Sequence, residues 1–449
     1  MFSATLLLAV ACVSALTHED IARFPDADFG GAFETADTPD CKTFPGDPAW
    51  PSDKEWSQFN ETLDGALLHP PPPASWPQGD TCPLTEDPVG ICTRGGYPVY
   101  VVNATSVKHV QAAVNFARNR NIRLVIKFVL PSGAGSLSVW THNLVGFQFL
   151  PSYTQPGGNY QGPAVCMGAG VQAAEALAYA ERTNITLLAP NPGSGCLSVG
   201  TSGGFFMGGG HSPLTSKFGL GADQVLSIKL VTADGRYITA DPQTNPDLFF
   251  ALRGGGGGTY GIVTSVIVKA HPPVNVTFAR FNLTLSSTTS TAPGPDVTVA
   301  DAETFWRGVN EVLAFSIPTV DARGYLWALT IPLWSNQYQM QVNVQMPNRT
   351  PDKLVAFLQP LLDTLNEARI PVTIDTPMTT LYTSLTQGGQ IDDWFFNTRL
   401  FPRRVFEDEG LFDDATTAIR AAVEARLAFL SLSMSPTLRQ ASTPPGAIP

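Results

Sequence analysis

Charge is scarce in this 449-residue sequence, and runs of basic residues are missing altogether. Only 14% of residues are charged, and 27 Lys and Arg stand against 38 Asp and Glu, a net charge of −11. With no basic stripe to meet phosphates, nucleic acid is not an expected partner. No apolar run reaches the roughly 20 residues a membrane-crossing helix needs, so no membrane partner is expected either. The histidines (His18, His69, His109, His142, His211 and His271) are scattered without zinc-ligand spacing, and no metal is expected. No glycine cluster runs into Gly-Lys-Ser/Thr, which excludes a nucleotide P-loop.

What is present is apolar residues, glycine and proline. The 43% hydrophobic content is enough for packed cores, and the length predicts two or three domains. Met1 to Ala15 is apolar and uncharged, ends in small residues (Val13-Ser14-Ala15), and is soon followed by His18-Glu19-Asp20. It reads as a secretory signal peptide. Asn-x-Ser/Thr sequons begin at Asn60, Asn103, Asn184, Asn275, Asn282 and Asn348, so a secreted glycoprotein is expected. Removal of the leader leaves Cys41, Cys82, Cys92, Cys166 and Cys196, an odd number for an oxidising compartment. Cys41, Cys82 and Cys92 are read as staples of a Pro-rich stretch. Cys166, in the run Ala164-Val165-Cys166-Met167, reads as a buried core thiol, and Cys196 reads as exposed in the turn-rich run Pro190–Gly195.

Four zones follow. After the leader (1–15), residues 16–93 read as an irregular segment containing Pro70-Pro71-Pro72-Pro73. From Pro98 the pattern alternates strand and helix: strand Pro98–Val102, a helix capped by Ser106 and running to about Arg120, strand Arg123–Lys127. The pattern recurs with strand Ala164–Met167, helix Val171–Arg182 and strand Ile185–Ala189. Strands Val225–Thr232 and Tyr237–Ala240 come next, then a helix from Asn245-Pro246 to Leu252 and strand Gly261–Ala270. Beyond the Ser/Thr/Pro/Gly-rich connection 286–295, strands Tyr325–Leu333 and Tyr338–Met346 and helices Asp301–Ala314, Pro351–Glu367 and Leu411–Arg426 predict a second, α+β domain.

The chemistry concentrates where glycine does. Gly256-Gly257-Gly258-Thr259-Tyr260-Gly261 matches G-x-G-x-x-G, but it follows a helix and precedes a strand, the reverse of a dinucleotide fingerprint. The run from Gly168 has the right order but no acidic ribose partner about twenty residues on. Gly200-Thr201-Ser202-Gly203-Gly204 satisfies G-x-S-x-G, the nucleophile elbow, with Gly208–Gly210 and His211 resembling an oxyanion loop. A helix after Ser202 is costly with so many glycines, so the hydrolase reading ranks low. Glycine recurs at 193, 195, 200, 203, 204 and 208–210. Such a wall lets backbone N–H groups approach a pyrophosphate and a planar ring, with an exposed Cys196 beside it able to bond to that ring. That is a flavin pocket without a Rossmann helix.

The run from Gly195 to Gly204, continued by Gly208–Ser212, resembles the core of the berberine-bridge-enzyme-like FAD oxidases of the p-cresol methylhydroxylase (PCMH)/vanillyl-alcohol oxidase (VAO) superfamily, the fungal secreted members in particular. Phe218–Val225, Asp247–Arg253, Gly254–Gly258 and Thr259–Thr264 extend the resemblance, which runs from about residue 41 to 440. It implies an α+β chain: a PCMH-type FAD-binding domain of two α/β subdomains over 94–273, and a substrate domain over 274–449 in which helices back an antiparallel sheet. It places Cys196 on the cysteine that attaches to flavin C6. It places Val199, Gly200, Gly203, Gly204, Gly209, Gly210 and His211 on the pyrophosphate and ring-binding stretch, and Gly261, Ile262 and Val263 on a strand whose backbone holds the flavin. The implied reaction passes a hydride from an alcohol, sugar or secondary metabolite to flavin N5, with O2 as acceptor.

The sequence departs from this family in two places. Lys127 is followed only by Phe128-Val129-Leu130-Pro131 before Ser132-Gly133-Ala134-Gly135-Ser136, so the family's Gly-His-Asp-Phe-type loop and its flavin-linking histidine have no counterpart. The family's final segment is also missing after Pro449. The missing histidine predicts attachment through Cys196 alone, and the two departures together predict a poor enzyme. Tyr325 and Tyr382 are candidate bases, but packing is the commoner role of a strand tyrosine, and no catalytic base is assigned. The rival readings are a non-catalytic glycoprotein derived from such an oxidase and a serine hydrolase using Ser202.

Overall fold

The computed structural model describes residues 41–69, 96–127, 133–190, 196–286, 293–333, 337–374, 377–384 and 398–436. The leader, the Pro70–Pro73 run, Cys82, Cys92 and residues 128–132 lie outside them. In chain order the elements begin α1 (Asp53–Thr62), β1 (Leu67–Leu68), β2 (Tyr100–Asn103), α2 (Val107–Asn119), β3 (Leu124–Lys127), β4 (Leu137–Trp140), β5 (Phe147–Thr154), β6 (Gln161–Gly168) and α3 (Ala173–Arg182). There follow α4 (Thr215–Phe218), β7 (Val225–Val231), β8 (Tyr237–Ala240), α5 (Pro246–Leu252) and β9 (Ile262–Lys269). The later elements are β10 (Asn275–Leu285), β11 (Asp296–Val299), α6 (Ala302–Ala314), α7 (Ser316–Asp321), β12 (Tyr325–Pro332) and β13 (Tyr338–Pro347). Last come α8 (Pro351–Glu367), β14 (Met378–Leu381), α9 (Arg404–Glu407), α10 (Glu409–Glu424) and β15 (Phe429–Ser433).

The chain forms two compact units. The first takes residues 1–179, 197–210 and 224–270, and the second residues 180–196, 211–223 and 271–449. The first holds two sheets. In one, ordered β1-β2-β4-β3, strands β2, β3 and β4 run parallel, as a strand–helix–strand pattern requires. Helix α2 starts at Ser106, whose Oγ accepts the His109 N–H at 3.3 Å. Its Val110, Ala113, Phe116 and Ala117 recur at helical spacing and are buried with Val102 and Val139. His109 is buried, with Nδ1 3.4 Å from the Thr105 hydroxyl.

Within the lead-in that reads as irregular, α1 forms because Ser52 and Glu55 make a capping box. The Ser52 N–H donates to Glu55 Oε2 at 2.7 Å, and Trp56 and Phe59 are buried. Phe59 stacks on Phe116 at 4.1 Å. The second sheet, β5-β6-β9-β7-β8, is antiparallel throughout, so the alternation of elements continues here without parallel pairing. Asn245 precedes α5 as expected but in a left-handed conformation, its Nδ2 donating to the Thr239 carbonyl at 2.7 Å rather than capping the helix.

In the second unit the sheet order is β11-β10-β13-β12-β15, with β14 beside β10. Residues 279, 281, 283 and 285 of β10 and 340, 342, 344 and 346 of β13 alternate onto one face. There they are buried with residues of α6, α8 and α10, including Phe305, Leu358, Leu365 and Val423. The strand expected at Ile185–Ala189 does not form: only Thr186 bridges, to His271. The segment is buried and satisfies its polar groups otherwise, the Ala189 carbonyl accepting the Tyr382 hydroxyl at 3.0 Å. No helix among the described residues is long and apolar enough to cross a membrane.

Candidate functional site

In the first unit the glycine-dense centre is tied to the corner between β6 and α3. Gly200 bridges to Gln172, the Ala173 N–H donates to the Val199 carbonyl at 3.0 Å, and the Thr201 N–H donates to Val171 at 2.9 Å. The Thr201 hydroxyl donates to that same Val171 carbonyl. The corner itself is tight: a Cβ on Gly168 would lie 2.1 Å from the Leu144 carbonyl, and one on Gly170 2.1 Å from that of His142. From Thr201 to Phe206 the chain makes a wide π turn, in which the Phe205 N–H reaches back to the Gly200 carbonyl at 3.1 Å.

A helical turn therefore does follow Gly200, against the expectation that its glycines would prevent one. It does not make Ser202 a nucleophile. Ser202 is fully buried inside the turn, and among the described residues its Oγ has no hydrogen-bond partner and no base within reach.

Two glycine segments of this unit meet backbone to backbone. The Gly256 N–H donates to the Met207 carbonyl at 2.9 Å, and a Cβ on Gly257 would stand 2.3 Å from the Gly203 carbonyl. Cβ atoms on Gly208 and Gly210 would stand 2.6 Å and 2.8 Å from the carbonyls of Gly204 and Phe205. These glycines make room for protein. Gly203 and Gly209 differ, because a Cβ at either would meet nothing within 4 Å. At Gly204 the nearest atom would be Val199 Cγ1 at 3.6 Å. Gly258 reaches the end of β3, 3.5 Å from Ile126 Cδ1.

Gly261 enters β9 at φ +144°, close against Leu230 and the Val231 carbonyl, and β9 runs beside the π turn. Ile262 and Val263 are buried, so they have only backbone to offer a ligand. The fold thus gathers Val199, Gly200, Gly203, Gly204, Gly209, Gly210, Gly261, Ile262 and Val263 into the first unit. Cys196 and His211 belong to the second. His211 is exposed, and partial enclosure of its ring lowers its pKa from the usual 6.5, favouring neutral imidazole. Cys196 opens the turn Cys196–Ser198, and its side chain lies outside the described part. Sequence reading weighs Ser202 only as a hydrolase nucleophile and Gly257 only as part of a glycine run. The Gly256–Gly258 run was visible, but nothing in the sequence pairs it with Gly203.

The sulfur assignments change. Cys166 is buried as expected but is disulfide-bonded rather than a free thiol, and Cys41 is free and exposed rather than a staple. Tyr325 and Tyr382 are both fully buried. Burial drives the Tyr382 phenol well above its usual value of 10, while its hydroxyl is engaged by Ser212 and Ala189. Both are packing residues. No group of metal-ligating side chains occurs among the described residues.

Open faces at Gly203 and Gly209 and exposed Gly204 fit a flat ligand bearing phosphates, which needs close backbone approach. The fold and this wall define a flavin-binding oxidoreductase. A family profile described as "FAD binding domain" matches residues 159–241. The chain is 32% identical over 426 residues to the VAO-type flavoprotein oxidase VAO615 of Thermothelomyces thermophilus, covering 83% of this chain and 70% of the relative. It is 31% identical over 448 residues to the FAD-linked oxidoreductase patO of Aspergillus clavatus, covering 88% and 73%. The crystal structure of the VAO-type flavoprotein MtVAO615 from Myceliophthora thermophila superposes with a TM-score of 0.75 at 30% identity, over 90% of this chain and 79% of that one. The chain belongs to the PCMH/VAO family of FAD-dependent oxidoreductases, as its sequence resemblance implies, and FAD is its cofactor.

Proposed function

We propose that this chain is a secreted oxidase acting on an alcohol, a sugar or a hydroxylated secondary metabolite, with O2 as acceptor. Bound FAD would supply the redox chemistry, coupling two-electron oxidation of a secondary alcohol to a ketone with reduction of O2 to hydrogen peroxide. The wall of the first unit holds the cofactor. The observation that carries this is the pair of open glycine faces, Gly203 and Gly209, on a backbone otherwise locked by Gly203–Gly257 packing. Packing of the π turn on β9 fixes the wall in place, so binding costs little reorganisation. By the sequence resemblance, Cys196 would form the one covalent bond to the ring. The apolar leader and the sequons support export and N-glycosylation.

A peroxide assay on the purified chain across a panel of primary and secondary alcohols, sugars and phenolic alcohols tests this reading. Hydrogen peroxide formed in step with carbonyl product is the expected result. Carbonyl product that forms only with an artificial electron acceptor would replace the oxidase by a dehydrogenase.

A further inference from the structure

The sheet of the second unit has two unlike faces. On the face opposite α6, α8 and α10, β10 contributes Phe278, Arg280, Asn282 and Thr284, and β13 contributes Gln339, Gln341, Asn343 and Gln345. Most of these groups satisfy one another. The Asn282 amide donates to Asp296 at 2.6 Å, Gln339 to the Thr284 hydroxyl at 3.3 Å, and Gln341 to Gln339 Oε1 at 3.0 Å. Three groups stand apart. Arg280 is partly buried and has neither an ion-pair nor a hydrogen-bond partner among the described residues. Its guanidinium lies over the Phe278 ring, 4.7 Å from the centroid. The Asn343 Oδ1 and Gln345 Oε1 are buried with no hydrogen bonds among the described residues.

Strand register brings these three together. Arg280 pairs with Asn343, and Asn343 in turn with Trp327 of β12, while Gln345 lies between Phe278 and Tyr325. On its other edge β10 is covered by β14 at 275–278 and by β11 at 282–285, which leaves Arg280 at the break between them. Burial already lowers the pKa of this arginine, a desolvation cost that no acid among the described residues offsets.

We propose that Arg280, Asn343 and Gln345 form a recognition site for a hydroxylated carboxylic acid. Arg280 takes the carboxylate in a bidentate pair, the two amide oxygens accept hydroxyl protons, and Trp327 offers a flat apolar surface to the body of the ligand. The proposal deepens the oxidase reading by naming a substrate class, and it rests on that reading only for the hydroxyl group.

Isothermal titration of the flavin-loaded full chain with mandelate, mandelamide and phenylacetate tests it, with flavin content measured on each sample. Mandelate carries charge, hydroxyl and ring, and each of the other probes lacks one of these. Mandelate is expected to bind about tenfold or more tightly than mandelamide, since a charge-assisted pair is lost, and more tightly than phenylacetate. Arg280→Gln should abolish the preference for mandelate over mandelamide, and Arg280→Lys should restore part of it because the charge remains without the fork. Equal binding of mandelate and mandelamide, an unchanged preference in Arg280→Gln, or no mandelate binding by the wild type would each overturn the site. Absent flavin would count against the FAD reading alone, because the mandelate and mandelamide comparison is read separately.

Discussion

A Cβ on Gly257 would lie 2.3 Å from the carbonyl oxygen of Gly203, whereas a Cβ on Gly203 would touch nothing within 4 Å. Two glycines that face each other are therefore glycines for opposite reasons. Gly257→Ala drives a methyl into backbone and should destabilise the chain by about 1–3 kcal/mol. Gly203→Ala meets no protein and limits the unfolded chain, so it should leave stability unchanged or raise it by about 0.4–1 kcal/mol. Thermal melts of the flavin-free proteins check both, and a destabilised Gly203→Ala would show that its face is not open.

The single-link proposal for Cys196 meets a constraint from Cys166, which is disulfide-bonded. One sulfur cannot hold both a flavin and a disulfide. Non-reducing peptide mapping is therefore expected to join Cys166 to a cysteine other than Cys196. Acid-precipitated wild type should keep its flavin, and Cys196→Ala should release it. A Cys166–Cys196 peptide, or covalent flavin retained by Cys196→Ala, would remove Cys196 from the cofactor site.

Much of the frame was legible wherever local chemistry decides. The Asn245-Pro246 start marks α5 and Pro351 marks α8 to the residue, because proline at the first helical position fixes φ without losing a hydrogen bond. Strand β8 is bounded by the turn Ala233–Arg236 and likewise falls where the sequence puts it. Pairing was not legible: β6 joins β9 through Ala164 and Lys269, and no local pattern encodes a neighbour so distant along the chain. Ile185–Ala189 has the apolar character of a strand, yet its groups are satisfied by Tyr382 and His271 rather than by a ladder. In the site, the sequence located the glycine wall, but only geometry separates Gly203 and Gly209, which face open space, from Gly208, Gly210 and Gly257, which face protein.

The proposed secretion carries a positional prediction. Asn184, Asn275 and Asn348 are exposed, whereas Asn103 accepts the Asn143 amide at 2.6 Å and the Asn282 amide donates to Asp296. Glycopeptide analysis of the chain expressed in a fungal host should find high occupancy at the first three and low occupancy at Asn103 and Asn282. The reverse pattern would overturn the exposure argument, and no glycan at any sequon would count against export through the secretory route.

Acid should weaken the first turn of α1. The Glu55 pKa is lowered from its ordinary 4.5, first by the Ser52 backbone N–H, then by the Ser52 hydroxyl, with Arg120 2.7 Å away adding to the effect. A carboxyl with a depressed folded pKa contributes stability above its unfolded pKa and loses it as pH falls through the folded value. The gap in melting temperature between wild type and Glu55→Gln should be present near pH 7 and close as pH falls below the ordinary carboxyl value of 4.5. A gap independent of pH would mean that the carboxylate's charge has no part in the cap.

The central claim, that the open glycine faces of the first unit hold FAD, is tested most directly by flavin stoichiometry in Gly203→Leu. The side chain has room in the flavin-free protein, so circular dichroism and the flavin-free melting temperature should match wild type, while FAD per chain falls from about one to below about one tenth. Wild-type FAD content in a correctly folded Gly203→Leu would contradict the account, because the cofactor would then lie somewhere other than against this wall.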